Sequence, residues 1–110
     1  MSMHRKKFCV ANWKMNLVQS DIKLFILQWK NKKINHSHVE TIFCPSFTDI
    51  NMTADLLQDS LIEIGAQNVC CEPKGAFTGE VSCAMLKEIG CKWVILGHSE
   101  RRTIFGETDD

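Results

Sequence analysis

Two short segments, Asn12-Trp13-Lys14 and Gly97-His98-Ser99-Glu100-Arg101-Arg102, are rich in groups able to orient, polarise or protonate a small molecule. Asn12 offers both a donor and an acceptor, Lys14 a compact positive charge, and His98 a side chain suited to moving protons near neutral pH. Pro45-Ser46 and Gln67-Asn68 add hydroxyl and amide groups. Each residue alone also has a plain structural reading. Lys14 is then a solvated surface charge, His98 a structural histidine, Arg101-Arg102 an exposed basic corner, and Gly97 a supplier of an unusual backbone angle. Their shared position is what carries information: each segment follows an apolar run that reads as a strand. In parallel α/β folds ligands bind at the carboxyl ends of strands.

Other reactive side chains do not form comparable groups. The six cysteines, Cys9, Cys44, Cys70, Cys71, Cys83 and Cys91, contain no C-x-x-C pair, which removes the main support for zinc-ribbon and thioredoxin-like sites. Cys70 and Cys71 are adjacent and poorly placed to bridge, and all six are expected as free thiols. Cys91 and His98 bracket one strand, and seven extended residues span roughly 20 Å, too far for a nucleophilic dyad. His4, His36 and His38 fall in polar ends and loops, so no metal site is expected, and no cofactor. Glu107, Asp109 and Asp110 fit the acidic start of a helix. Asn35-His36-Ser37 and Asn51-Met52-Thr53 match the glycosylation pattern but are short enough to be accidental.

The elements that must position these residues alternate along the chain. Phe8-Cys9-Val10-Ala11 reads as a strand buried on both faces. Ser20 then caps a helix whose Ile22, Phe25, Ile26 and Trp29 form one stripe, with Lys23, Gln28 and Lys30 toward water. A second strand, Val39 to Cys44, is stopped by Pro45. A helix over about Asp49 to Leu57 presents Met52, Leu56 and Leu57, and a third strand covers Ile62 to Ala66. After the polar segment Gln67 to Ser82, Ser82 caps a helix carrying Met85, Leu86 and Ile89, and Gly90 ends it. The last strand reads Lys92 to Leu96. The order β-α-β-α-β-α-β implies parallel strands and right-handed crossovers. Thr108-Asp109-Asp110 looks like the start of a further helix, so the chain is expected to be one domain cut before its fourth helix.

Composition sets the outer limits. A chain of 110 residues suits one domain with a modest core. Thirteen basic residues balance thirteen acidic ones, which excludes a strongly cationic nucleic-acid binder. Apolar runs stop at four or five residues, far short of a membrane span, and no signal-peptide pattern follows the basic start. A cytoplasmic location is the expectation.

Ala11-Asn12-Trp13-Lys14-Met15-Asn16, Gly65-Ala66-Gln67-Asn68, Gly75-Ala76-Phe77-Thr78-Gly79-Glu80 and Val94 through Arg102 together resemble triosephosphate isomerase. The four motifs run in the family's order from about Arg5 onward. The resemblance implies an α/β fold, a partial (β/α)8 TIM barrel holding the first four parallel strands. A whole barrel typically needs about 250 residues. The implied reaction interconverts dihydroxyacetone phosphate and glyceraldehyde 3-phosphate through an enediolate, in glycolysis and gluconeogenesis.

The resemblance also implies roles. Lys14 matches the active-site lysine that binds the phosphorylated substrate, and Asn12 the asparagine that positions substrate and lysine. His98 matches the electrophilic histidine, and Glu100 a supporting carboxylate near the lysine. Met15, Thr78 and Glu80 fall in segments that form the interface of the family's homodimer. A neutral imidazole held at a helix N-terminus is a suitable donor to a developing oxyanion, and triosephosphate isomerase is itself the standard example of that tuning. Ser99-Glu100-Arg101 offers a short turn for the purpose. The family's base is a glutamate after the sixth strand, and no glutamate here matches its motif. Cys83, where the family often has Pro or Ala, is a small departure at a helix start. Three readings therefore stand: an N-terminal portion of the isomerase, a non-catalytic half-barrel binding module, and an inactive fragment.

Overall fold

A computed structural model describes residues 5–32 and 38–110. His4, His36, the Lys33-Ile34-Asn35 part of the first loop and the Asn35-His36-Ser37 pattern lie outside the described residues. The strands are β1 (Lys7–Asn12), β2 (Val39–Cys44), β3 (Glu63–Ala66) and β4 (Trp93–Val94). They form one parallel sheet in the order β1-β2-β3-β4. Helices α1 (Gln19–Lys30), α2 (Ile50–Leu56) and α3 (Cys83–Glu88) make the crossovers, with a 3-10 turn at Phe47–Asp49 leading into α2. After β4 the chain forms a seven-residue helix α4 (Ser99–Phe105), where only a short turn at Ser99-Glu100-Arg101 was expected. The result is a curled half-barrel with four parallel strands inside and helices outside, the expected partial TIM barrel.

The core lies between sheet and helices. Phe43, Ile64 and Ala66 from the strands meet Ile22, Ile26, Ile50, Leu57 and Leu86 from the helices. Trp13, Phe25 and Trp29 ring Phe43 at centroid separations of 5.2–5.6 Å, largely edge-on, an arrangement that adds to simple burial. Along β2 the side chains alternate, so Ile42 and Cys44 point to the other, concave face.

That concave face accounts for one correction. The first strand was expected to be buried on both sides, yet Phe8 is 50% and Val10 49% exposed. Ile42 and Cys44, on the same face but flanked by strands on both sides, are buried. Outermost position decides exposure here, not residue type. Trp93 on the opposite outer strand is exposed for the same reason.

Element ends differ from expectation in informative ways. Helix α1 begins at Gln19, before Ser20, because the Asp21 carboxylate accepts from Val18 N–H at 3.2 Å and fixes the start there. Of its stripe, Ile22 and Ile26 are buried, whereas Phe25 lies at the margin. The buried side of α2 is Ile50, Thr53 and Leu57, while Met52 and Leu56 are only partly covered. The Thr53 hydroxyl is accommodated there by donating to Asp49 O at 2.7 Å. Ser82 does cap α3, accepting from Met85 N–H at 3.3 Å. The helix closes with Gly90 at φ 94°, where Gly90 N–H reaches Lys87 O and Cys91 N–H reaches Leu86 O. Leu86 points inward, but Met85 is exposed. The last strand is shorter than the Lys92 to Leu96 expected. Only Trp93–Val94 pair as a ladder, because Gly97 at φ 63° already turns the chain into α4. Thr108 to Asp110 carry no regular structure.

Candidate functional site

All four strands deliver their carboxyl ends to one rim, and a cavity of about 270 Å³ opens there. Asn12, Lys14, Ser46, Gln67, His98 and Glu100 line it. The structure thus brings together Asn12, Lys14, His98 and Glu100, which are separated by up to 88 positions in sequence.

Lys14 sits in the left-handed region at φ 55°, the one non-glycine residue to do so among the described residues. Its amide donates to Asn12 Oδ1 at 3.0 Å. Its ammonium donates to Glu100 Oε1 across the cavity. That hydrogen bond, with the Lys14 charge, holds the Glu100 carboxyl below the usual glutamate range. Both side chains remain 46% exposed, so a solute entering from the open side can reach the ammonium.

His98 is the N-cap of α4, and its Nδ1 accepts from Glu100 N–H at 3.3 Å. The same nitrogen lies 3.5 Å from Glu100 Oε2, a contact it cannot also make as an acceptor. An amide N–H is always a donor, so in the cap bond Nδ1 is the acceptor. In the neutral imidazole that bond leaves the proton on Nε2. Behind the histidine, Arg102 Nε donates to Gly97 O at 2.9 Å, and a Cβ at Gly97 would stand 2.5 Å from the Arg102 guanidinium. Arg101 also borders the cavity, but its guanidinium forks onto Glu107 Oε2 at 2.7 and 2.9 Å and lies over the Phe105 ring. The two arginines are therefore committed to local structure.

Gln67 and Ser46 were seen in the sequence only as members of the rim, and the structure gives them more. Gln67 Nε2 donates to both Lys14 O and Cys44 O at 2.8 Å, and Ser46 Oγ donates to Lys14 O at 3.1 Å. Their position just past β2 and β3 was the available signal. Met15 is 93% exposed beside the cavity, and Thr78 and Glu80 lie exposed in the segment between β3 and α3. All six cysteines are free. Among the described residues no three His, Cys, Asp or Glu side chains gather to hold a metal, and no helix is long and apolar enough to cross a membrane.

A larger cleft of about 530 Å³ opens at the amino ends of β2 and β3. Its charges are paired, Glu40 with Lys6 at 3.2 Å and Glu63 with Lys92 at 3.0 Å. The smaller cavity is where a histidine donor and a lysine charge converge, and chemistry favours it over size.

A curled parallel sheet wrapped by its crossover helices, with polar groups converging at the strands' carboxyl ends, defines the (β/α) barrel class of protein. Within that class the chain belongs to the triosephosphate isomerase family, whose model, "Triosephosphate isomerase", matches residues 7–110. Curated proteins called triosephosphate isomerase from Endomicrobium trichonymphae, Symbiobacterium thermophilum and Dictyoglomus turgidum are 46%, 45% and 43% identical over 106 residues. Each alignment covers 96% of this chain and 41–43% of the relative. The chain thus spans about two fifths of the length of the curated relatives it matches.

Proposed function

We propose that this chain forms the N-terminal part of a single TIM-barrel domain and supplies the electrophilic side of a triose phosphate isomerase site. Removing a proton beside a carbonyl leaves negative charge growing on the carbonyl oxygen, and preorganised donors lower that barrier. Nε2–H of His98 is such a donor, oriented because Nδ1 is occupied by the α4 cap. It can give its own proton to one oxygen of the enediolate and take one back from the other, which moves a proton between the two oxygens and restores the imidazole. Lys14 adds a positive charge for the phosphorylated substrate, Asn12 positions Lys14, and Glu100 holds the ammonium in the cavity. The observation that carries this reading is the convergence of Lys14 and His98 on one cavity, each braced by its own partner.

The glutamate base has no counterpart among these residues, so the chain by itself is an inactive half of the site. No cofactor is needed for this chemistry. Met15, Thr78 and Glu80 belong to the homodimer interface, and the enzyme is cytoplasmic.

The test is co-refolding of the chain with the complementary C-terminal portion of a relative, followed by a coupled isomerase assay. Activity is expected from the assembly and none above background from the chain alone. Lys14→Ala and His98→Ala should each cost about 10²-fold or more. Lys6→Ala, at the opposite end of β1, should leave the rate nearly unchanged. Activity indifferent to Lys14 and His98 would overturn the site. A folded assembly without turnover would favour the non-catalytic module.

A further inference from the structure

Lys14 holds a conformation that side chains other than glycine adopt at a cost, and such a residue stays strained only where its surroundings over-determine it. Its surroundings come from every strand end in the half-barrel. Asn12, closing β1, accepts from the Lys14 amide. Ser46, past β2, and Gln67, past β3, both donate to the Lys14 carbonyl. Glu100, past β4, takes the ammonium. Asn12 alone fixes one side of the residue and leaves the following peptide free to rotate. The two donors on the carbonyl remove that freedom. Gln67 also donates to Cys44 O, so the strut is anchored on the end of β2 and cannot follow Lys14 if it moves.

From this geometry we infer that Ser46 and Gln67 are positioning residues, which lock the Lys14–Met15 peptide and thereby aim the Lys14 ammonium into the cavity. The inference rests on the proposed role of Lys14 and assigns the residues that make that role possible. Neither strut reaches the reacting atoms; each acts through Lys14. If Lys14 relaxes to ordinary negative φ, its carbonyl and side chain swing together and the charge leaves its place above the cavity. A misplacement of about 1 Å at a reacting site costs on the order of 10²-fold, so loss of one of two struts should cost about 10-fold.

The experiment uses the chain co-assembled with an unlabelled C-terminal portion of a relative. Lys14-Met15 and Lys92-Trp93 are each the only dipeptide of its kind in the sequence. Labelling lysine carbonyls with 13C and methionine and tryptophan amides with 15N therefore gives one cross-peak for the strut peptide and one control in β4. In Ser46→Ala and Gln67→Met the Lys14–Met15 peak should shift, further in the double variant, while Lys92–Trp93 stays in place. In the assay each single variant should lose about 10-fold in kcat/KM, mainly through KM for the anionic substrate. In a Lys14→Ala background neither should cost anything more. A strut peak unmoved in the double variant, both peaks moving together, or equal losses without Lys14 would overturn the inference. If the unsubstituted assembly turns over no substrate, the proposed function falls, and the two cross-peaks still decide the struts.

Discussion

Lys14 and Glu100 show how a single residue's environment sets what it contributes. Glu100 has a carboxyl pKa lowered from its ordinary value of 4.5, first by the Lys14 hydrogen bond and then by the Lys14 charge. A carboxylate whose folded value lies below its unfolded one stabilises the fold fully above the unfolded value and loses that contribution as pH falls through the folded value. The difference in urea midpoint between the parent and Glu100→Gln, each co-assembled with the complementary portion of a relative, should therefore be flat at neutral pH and shrink once the pH drops below 4.5. A difference growing toward acid would contradict the pairing. The cysteines divide by the same logic of surroundings. Burial pushes the Cys44 thiol up to about 11, and it raises Cys91 as well. Cys9, Cys71 and Cys83 are exposed. Mild alkylation at neutral pH, read by peptide mass spectrometry, should label those three while sparing Cys44 and Cys91 until denaturant is added.

Between elements, the most exacting contact is where β3 passes between β2 and β4. Gly65 pairs with Trp93, and a Cβ built on it would lie 2.7 Å from Cys44 Sγ, 3.2 Å from Ile42 Cγ2 and 3.3 Å from Trp93 Cβ. Two of those atoms belong to buried side chains on a central strand, with little room to give. Gly65→Ala should therefore destabilise by about 1–3 kcal/mol, the usual cost of overpacking. Thermal unfolding of the co-assembled protein measures it, and Cys44→Ala, by removing the nearest atom, should recover part of the loss. Equal stability of Gly65→Ala and parent would show that the strands yield.

The whole molecule exposes more than a closed domain does. A compact monomer of 12.6 kDa has about 6,200 Å² of accessible surface, against 8417 Å² here. The radius of gyration is 15.4 Å, where a closed domain of this length has roughly 13 Å. On the concave face, Phe8, Val10, Ile42, Cys44, Trp93 and Ile95 line an apolar groove of about 250 Å³. The two outer strands, β1 and β4, also carry unpaired backbone edges. Kept alone, the 110-residue chain should associate or remain partly ordered, since net stability is only about 5–15 kcal/mol even for complete domains. Sedimentation should show species larger than a monomer, and the complementary portion of a relative should suppress them. A monodisperse monomer with sharp cooperative unfolding would refute this.

The sequence by itself determined the order of strands and crossovers, because hydrophobic period and punctuation by Pro45, Ser82 and Gly90 are local signals read within a few residues. It also determined the rim. Asn12, Lys14, His98 and Glu100 were legible as a group because each follows a strand and parallel strands all end on one side. Local pattern did not reveal which apolar residues are covered. Phe8 and Ile42 look alike in sequence, and only a neighbour on each side separates them. Nor did it reveal that Ser46 and Gln67 meet on one carbonyl, since a hydrogen bond between positions 14 and 67 has no periodic trace. Tertiary structure decided that by curling β1, β2 and β3 until their ends converge, and by leaving the Lys14 backbone in a conformation its own residue type disfavours.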